Sequence, residues 1–175
     1  MVCPARRSSI ASPDPRSRPL TLPRFERVLW LLPCILVLHV AEECAAGFPR
    51  YVGEVLHGAP MSVDGLLQGN ALFLGVLVAL CWRAGRGGGR LAAFLLIAWT
   101  SGHLFWNFAF HLWTTASTGQ FSPGLVTGSL LSYPAPPLVA LTAVRQNRLS
   151  FGLTLIAFAL GGLMMEAIIW ASIYC

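Results

Sequence analysis

The chain has 175 residues, of which 55% are hydrophobic and 11% charged, against about 25% charged in an ordinary soluble domain. The net charge of +5 comes from twelve arginines and no lysine. None of them alternates with aromatics along a soluble face, which argues against a nucleic-acid binder and for an integral membrane protein, its partner the lipid bilayer.

Residues 1–27 form a Pro/Arg-rich tail; five prolines (Pro4, Pro13, Pro15, Pro19, Pro23) and four arginines (Arg6, Arg7, Arg16, Arg18) fall before Arg24. Such a composition cannot bury a core, and disorder is expected there. The remainder, 28–175, reads as one transmembrane helical domain. Apolar segments run over about 28–48, 66–82, 91–113, 124–144 and 151–174, each long enough as a helix to cross a hydrocarbon core of about 30 Å. Cys44-Ala45-Ala46 offers a possible signal-peptide cleavage site after the first segment. The two glutamates just before it and the four apolar segments that follow argue against that reading. Pro134, Pro136 and Pro137 must kink or break the fourth segment, because proline removes a backbone donor.

The expected fold is therefore an all-α bundle of five transmembrane helices. Arg83, Arg86 and Arg90 fall in one connection and Arg145 and Arg148 in another. With the six arginines up to Arg27 they place eleven on one side, against Arg50 on the other. The positive-inside rule then puts the N-terminus in the cytoplasm and the C-terminus outside, in a multi-pass protein of the cell membrane. The five cysteines show no CxxC spacing and read as small apolar residues.

Inside the first segment stand His39, Glu42 and Glu43. A charged side chain at the bilayer centre costs about 2.5–3.5 kcal/mol on insertion scales, and no apolar segment carries an arginine to offset it. The spacings i,i+3 and i,i+4 gather the three on one helix side. His103, Asn107 and His111 repeat at i, i+4 and i+8 on the third segment, and both rows are expected to face the interior. In the expected topology these residues and Glu166 share the outer half of the bilayer. Thr127, Ser129 and Tyr133 on the fourth segment could join them. Imidazole nitrogens and carboxylate oxygens suit zinc or another divalent transition metal. The expected ligands are His39, Glu43, His103 and His111. Glu42, Glu43 and His39 are the expected catalytic groups, one glutamate acting as base, with Asn107, Glu166 and Tyr133 around them.

The run His39-Val40-Ala41-Glu42-Glu43, with Gly102-His103-x-x-x-Asn107 and Ser122-Pro123-Gly124-Leu125-Val126-Thr127, resembles the family of small bacterial membrane proteins named for an HXXEE motif. The resemblance covers about residues 30–145 and implies a membrane protein with a suspected active site. The spacing His103-x-x-x-Asn107 is also similar to that of CAAX-protease-like membrane metalloproteases. This chain departs from them in having Gly47 where they carry an arginine four residues after the di-glutamate. Three functions follow as expectations. The first is metal-dependent hydrolysis of a lipid-like or amphipathic substrate. The second is metal-free proton transfer on a lipid, as in an isomerase. The third is a proton or cation carrier or membrane partner subunit, which a broken helix at a polar layer would suit.

Overall fold

The computed structural model describes residues 24–174; the expected disorder of the Pro/Arg-rich tail lies almost wholly outside them. It is all-helical, with no strand among the described residues. α1 spans Phe25–Ala45, slackened at Leu29 and Trp30. α2 is the short Phe48–Glu54, reached through Gly47, whose positive φ of 78° turns the chain out of α1. α3 is Val63–Gly85, started by the Ser62 hydroxyl, which accepts from the Gly65 N–H. α4 is the 30-residue Gly89–Thr118, about 45 Å at 1.5 Å per residue. α5 is Ala135–Arg145, and α6 is Phe151–Tyr174.

Four helices are long and apolar enough to cross a membrane: α1, α3, α4 and α6. The count of five expected from the sequence is thus corrected. The fourth segment is broken, as its prolines require. It forms a helical turn at Leu125–Thr127, a widened π turn at Gly128–Ser132, a turn at Tyr133–Pro134, and only then α5. The broken stretch still lies along α1. Thr127 bonds Glu42 near one end. At the other, the Phe25 N–H donates to Gln146 Oε1 at 3.1 Å and Arg148 pairs with Glu26.

α4 is the central element and packs on α3, α5 and α6. The main core fills the space between α1, α3, α4 and α5 with Leu29, Leu32, Leu77, Leu96, Ile97 and Val139. A smaller cluster of Phe48, Tyr51, Val52, Leu66 and Ile173 sits under α2. Large apolar side chains cover the outside; Leu72, Leu130 and Leu163 are each more than 65% exposed. Lipid tolerates that surface and water does not, which supports the reading of a membrane protein.

Where apolar side chains gain nothing by leaving lipid, helices are held by close backbone approach and polar contacts. The α4–α6 crossing shows both. A Cβ placed on Gly161 would stand 2.0 Å from Ser101 Oγ and 2.5 Å from the Ala98 carbonyl oxygen. The Ser101 hydroxyl sits 3.4 Å from the Ala157 carbonyl across the same contact. Gly161→Leu is therefore expected to lower the unfolding midpoint in detergent, at a cost of at least ~1–3 kcal/mol from overpacking. Gly75→Leu, where a Cβ meets nothing within 4 Å, should leave it nearly unchanged. Equal midpoints for the two variants would contradict this account of the crossing.

Candidate metal centre

α1 carries His39, Glu42 and Glu43 toward two different neighbours. Glu42 turns to the broken segment. Its Oε1 accepts from the Gly124 and Val126 N–H groups, both at 3.1 Å. Its Oε2 accepts from the Thr127 N–H at 2.7 Å and the Thr127 hydroxyl at 2.6 Å. These amides are free because the helical turn begins there, and the first N–H groups of a helix have no partner within it. Four donors thus take up a carboxylate in the bundle without a cation, the arrangement a low-dielectric interior demands.

Glu43, one residue on, turns to the imidazoles. Its Oε1 lies 3.5 Å from His39 Nε2 and 3.3 Å from His111 Nε2. The three residues are 1%, 4% and 0% exposed for His39, Glu43 and His111, and their nearest ligand atoms lie no more than 4.8 Å apart. The His111 Nε2–Glu43 Oε1 approach is short but lacks hydrogen-bond geometry, and the buried Nε2 has no hydrogen-bond partner.

Hydroxyls set both rings. The Thr127 hydroxyl gives its proton to Glu42, which can only accept, so it receives the His39 Nδ1–H at 2.9 Å. In the neutral ring Nε2 is then the lone-pair nitrogen, and the Asn107 amide donates to it at 2.7 Å. His111 Nδ1 meets the Ser122 hydroxyl at 2.9 Å. Ser122 is itself held, its N–H donating to Thr115 Oγ1 at 3.0 Å. The broken segment therefore fixes both Nδ1 atoms and turns both Nε2 atoms toward Glu43. Gly124, at a φ of +103°, lets the segment pass; a Cβ there would lie 2.8 Å from His111 Nε2 and 2.9 Å from His39 Cε1.

This donor set fits zinc or a similar ion. In a tetrahedral site with bonds of about 2.0–2.2 Å, neighbouring ligand atoms lie about 3.4 Å apart. The two imidazole–carboxylate separations of 3.5 and 3.3 Å match that spacing. To hold an ion, the gap between the imidazoles has to narrow and the Asn107 amide has to leave the His39 Nε2 lone pair. Two histidines and one glutamate is also a ligand set of catalytic zinc, which leaves a coordination position open.

Of the residues expected from the sequence, the structure brings together His39, Glu43 and His111, with Asn107 and Thr127 bonded to them and Glu42 behind them. His103 stands apart. It packs between Phe73 and Trp99, with ring centroids 4.2 and 4.6 Å away, and its buried Nε2 has no hydrogen-bond partner. α4 widens into a π turn over Ser101–Trp106, and His103 lines the cavity beside Glu43 together with Asn107 but does not join His111. Glu166 is exposed on α6. Tyr133 is 48% exposed and rests against Phe105 and Phe108, and the Ser129 hydroxyl turns back to the Leu125 carbonyl. Ser122 belongs to the stretch that carries the family resemblance, but no site role was expected for its hydroxyl, which bonds His111 Nδ1.

Residues 30–136 match a family model described as "Protein of unknown function with HXXEE motif". The chain belongs to this family. His39, Glu42 and Glu43 are the motif residues, and the match extends through Asn107, His111, Ser122 and Thr127, so it takes in every side chain of the cluster. No match was found among curated proteins or among solved structures.

If the motif's first acid, Glu42, positions rather than reacts, Thr127→Val should act through His39. Losing a partner that orients a metal-binding histidine typically weakens affinity about 10–100-fold. Zinc titration of the purified variant should show that loss with helix content unchanged by circular dichroism. Unaltered affinity would separate the Glu42 network from the site.

Proposed function

We propose that this HXXEE-motif protein is a membrane-embedded, metal-dependent hydrolase of a lipid-like or amphipathic substrate. One observation carries the reading: two buried imidazoles, each fixed at Nδ1 by a hydroxyl, present Nε2 to one buried carboxylate at metal-ligand spacing. His39, His111 and Glu43 would hold the ion. A zinc-class ion there supplies Lewis acidity to a carbonyl and makes water a nucleophile at neutral pH.

The chain's own residues do the rest. Glu43 lines a cavity of about 370 Å³, so the cluster has a substrate side, and the Asn107 amide there can turn from His39 to a substrate oxygen. Glu42 is saturated by four donors; its part is to position the segment 122–127, not to move a proton. The proton of the attacking water would pass to the Glu43 carboxylate oxygen that does not hold the ion, on the acid that lines the cavity.

The arginine distribution supports the expected orientation. Cys81 donates to the Leu29 carbonyl at 3.4 Å and Arg148 pairs with Glu26. Arg83, Arg86, Arg90, Arg145 and Arg148 thus gather at the Phe25 end of the bundle, away from the cluster. That end would be cytoplasmic and the site would face the outer leaflet of the cell membrane. The broken segment at the polar layer favours, as second reading, a proton or cation carrier.

Metal analysis of purified protein tests the first reading. Wild type is expected to retain about one zinc-class ion per chain, and His111→Ala and Glu43→Gln to lose it. Because ligands bind deprotonated, metal affinity should fall as pH is lowered. Wild type that takes up no stoichiometric metal would overturn the hydrolase reading. Pure ion flux in proteoliposomes would then favour the carrier.

A further inference from the structure

The cavity beside Glu43 is a cleft between two membrane helices. α4 forms its floor with His103, Asn107 and Phe110; α3 supplies one wall and α6, with Met165 and Ile169, the other. On α3 the wall residues Gly65, Gly69 and Phe73 fall at i, i+4 and i+8, one face of the helix. A Cβ on Gly69 would meet nothing within 4 Å, so the missing side chain leaves open space rather than a tight helix contact. At one end the cleft is tied shut: the Ala59 N–H donates to the Ile173 carbonyl at 2.6 Å, and Gly58 packs directly on Ile173. The remaining boundary of the cleft is the gap between α3 and α6, which line it from opposite sides.

We propose that this cleft is a lateral port for an uncharged or zwitterionic amphiphile with a single acyl chain. The chain would lie along the Gly65–Gly69–Phe73 face, and the polar group would reach Glu43, His103 and Asn107. The proposal rests on the hydrolase reading only for what happens at Glu43.

Three features select this occupant. The cavity of about 370 Å³ lies near the small end of the about 300–1,000 Å³ range of ligand sites, which suits one chain better than two. Its lining holds one charged residue, Glu43, and no arginine, so nothing there would neutralise an anionic headgroup. His103 lines the same cavity with an unpartnered, buried Nε2. A buried polar atom without a partner costs about 1–3 kcal/mol, a cost that a substrate hydroxyl or carbonyl would relieve.

Photo-crosslinking tests this. The probe is lysophosphatidylcholine carrying a diazirine in its chain, with a two-chain phosphatidylcholine carrying the same group for comparison. The single-chain probe should label residues 65–73 and 165–173 saturably, and unlabelled lysophosphatidylcholine should compete. Gly69→Phe should reduce that labelling on the order of tenfold. Gly75→Phe, on the exposed face of the same helix, and labelling at lipid-facing Leu163 should stay at wild-type level. Equal labelling by the two-chain probe, or labelling insensitive to Gly69→Phe, overturns the port. His111→Ala separates the two readings. It should keep cleft labelling while losing metal, whereas wild type that binds metal with an unlabelled cleft refutes the port alone.

Discussion

The arrangement depends on how one carboxylate inside a membrane bundle is satisfied. Glu42 has no cation beside it. Three backbone N–H groups and a hydroxyl from residues 124–127 take its place. Hydrogen bonds to a charged group contribute about 1.5–3 kcal/mol each, and here leaving them unmade would strand a charge away from water. The interaction needs free amides, so it needs a helix that starts at this depth. Pro123, Gly124 and the later prolines ensure that the segment cannot run through as one helix. The break is thus the means by which Glu42 is accommodated.

The same segment shapes the site. Ser122 and Thr127 hold the Nδ1 atoms of His111 and His39, and Gly124 fits between the two rings because it has no Cβ. Glu42 draws the segment onto α1, and the segment in turn directs two Nε2 atoms toward Glu43. Adjacent acids in the motif therefore have opposite duties, one anchoring and one facing the cavity. α4 completes the frame. It carries His111 and Asn107, and the glycine crossing with α6 sets where that helix stands.

Much of this was legible in the residues. The i,i+3 and i,i+4 spacings gathered His39 and the two glutamates on one side of α1, and apolar length picked out five segments, of which four are helices long enough to span. The prolines announced the break. Other features depend on tertiary contacts that no spacing encodes. The i, i+4, i+8 row put His103 in line with His111; in the π turn over Ser101–Trp106 it packs instead among Phe73 and Trp99. Spacing alone could not assign Glu42 and Glu43, because a difference of one residue turns each toward a different neighbour. Glu166 followed an argument from depth, which says nothing about the side of the helix, and it lies on the outside. The fifth apolar segment has the length of a span but not the continuity.

The most direct test of the central claim is the zinc K-edge absorption spectrum of zinc-loaded protein in detergent. The account predicts nitrogen and oxygen scatterers at about 2.0–2.2 Å, with outer-shell scattering from two imidazoles, a signal that His39→Ala loses together with the ion. A sulfur shell near about 2.3 Å, or imidazole scattering unchanged by His39→Ala, would contradict it, because the ion would then be held away from the ring that Thr127 and Glu42 orient.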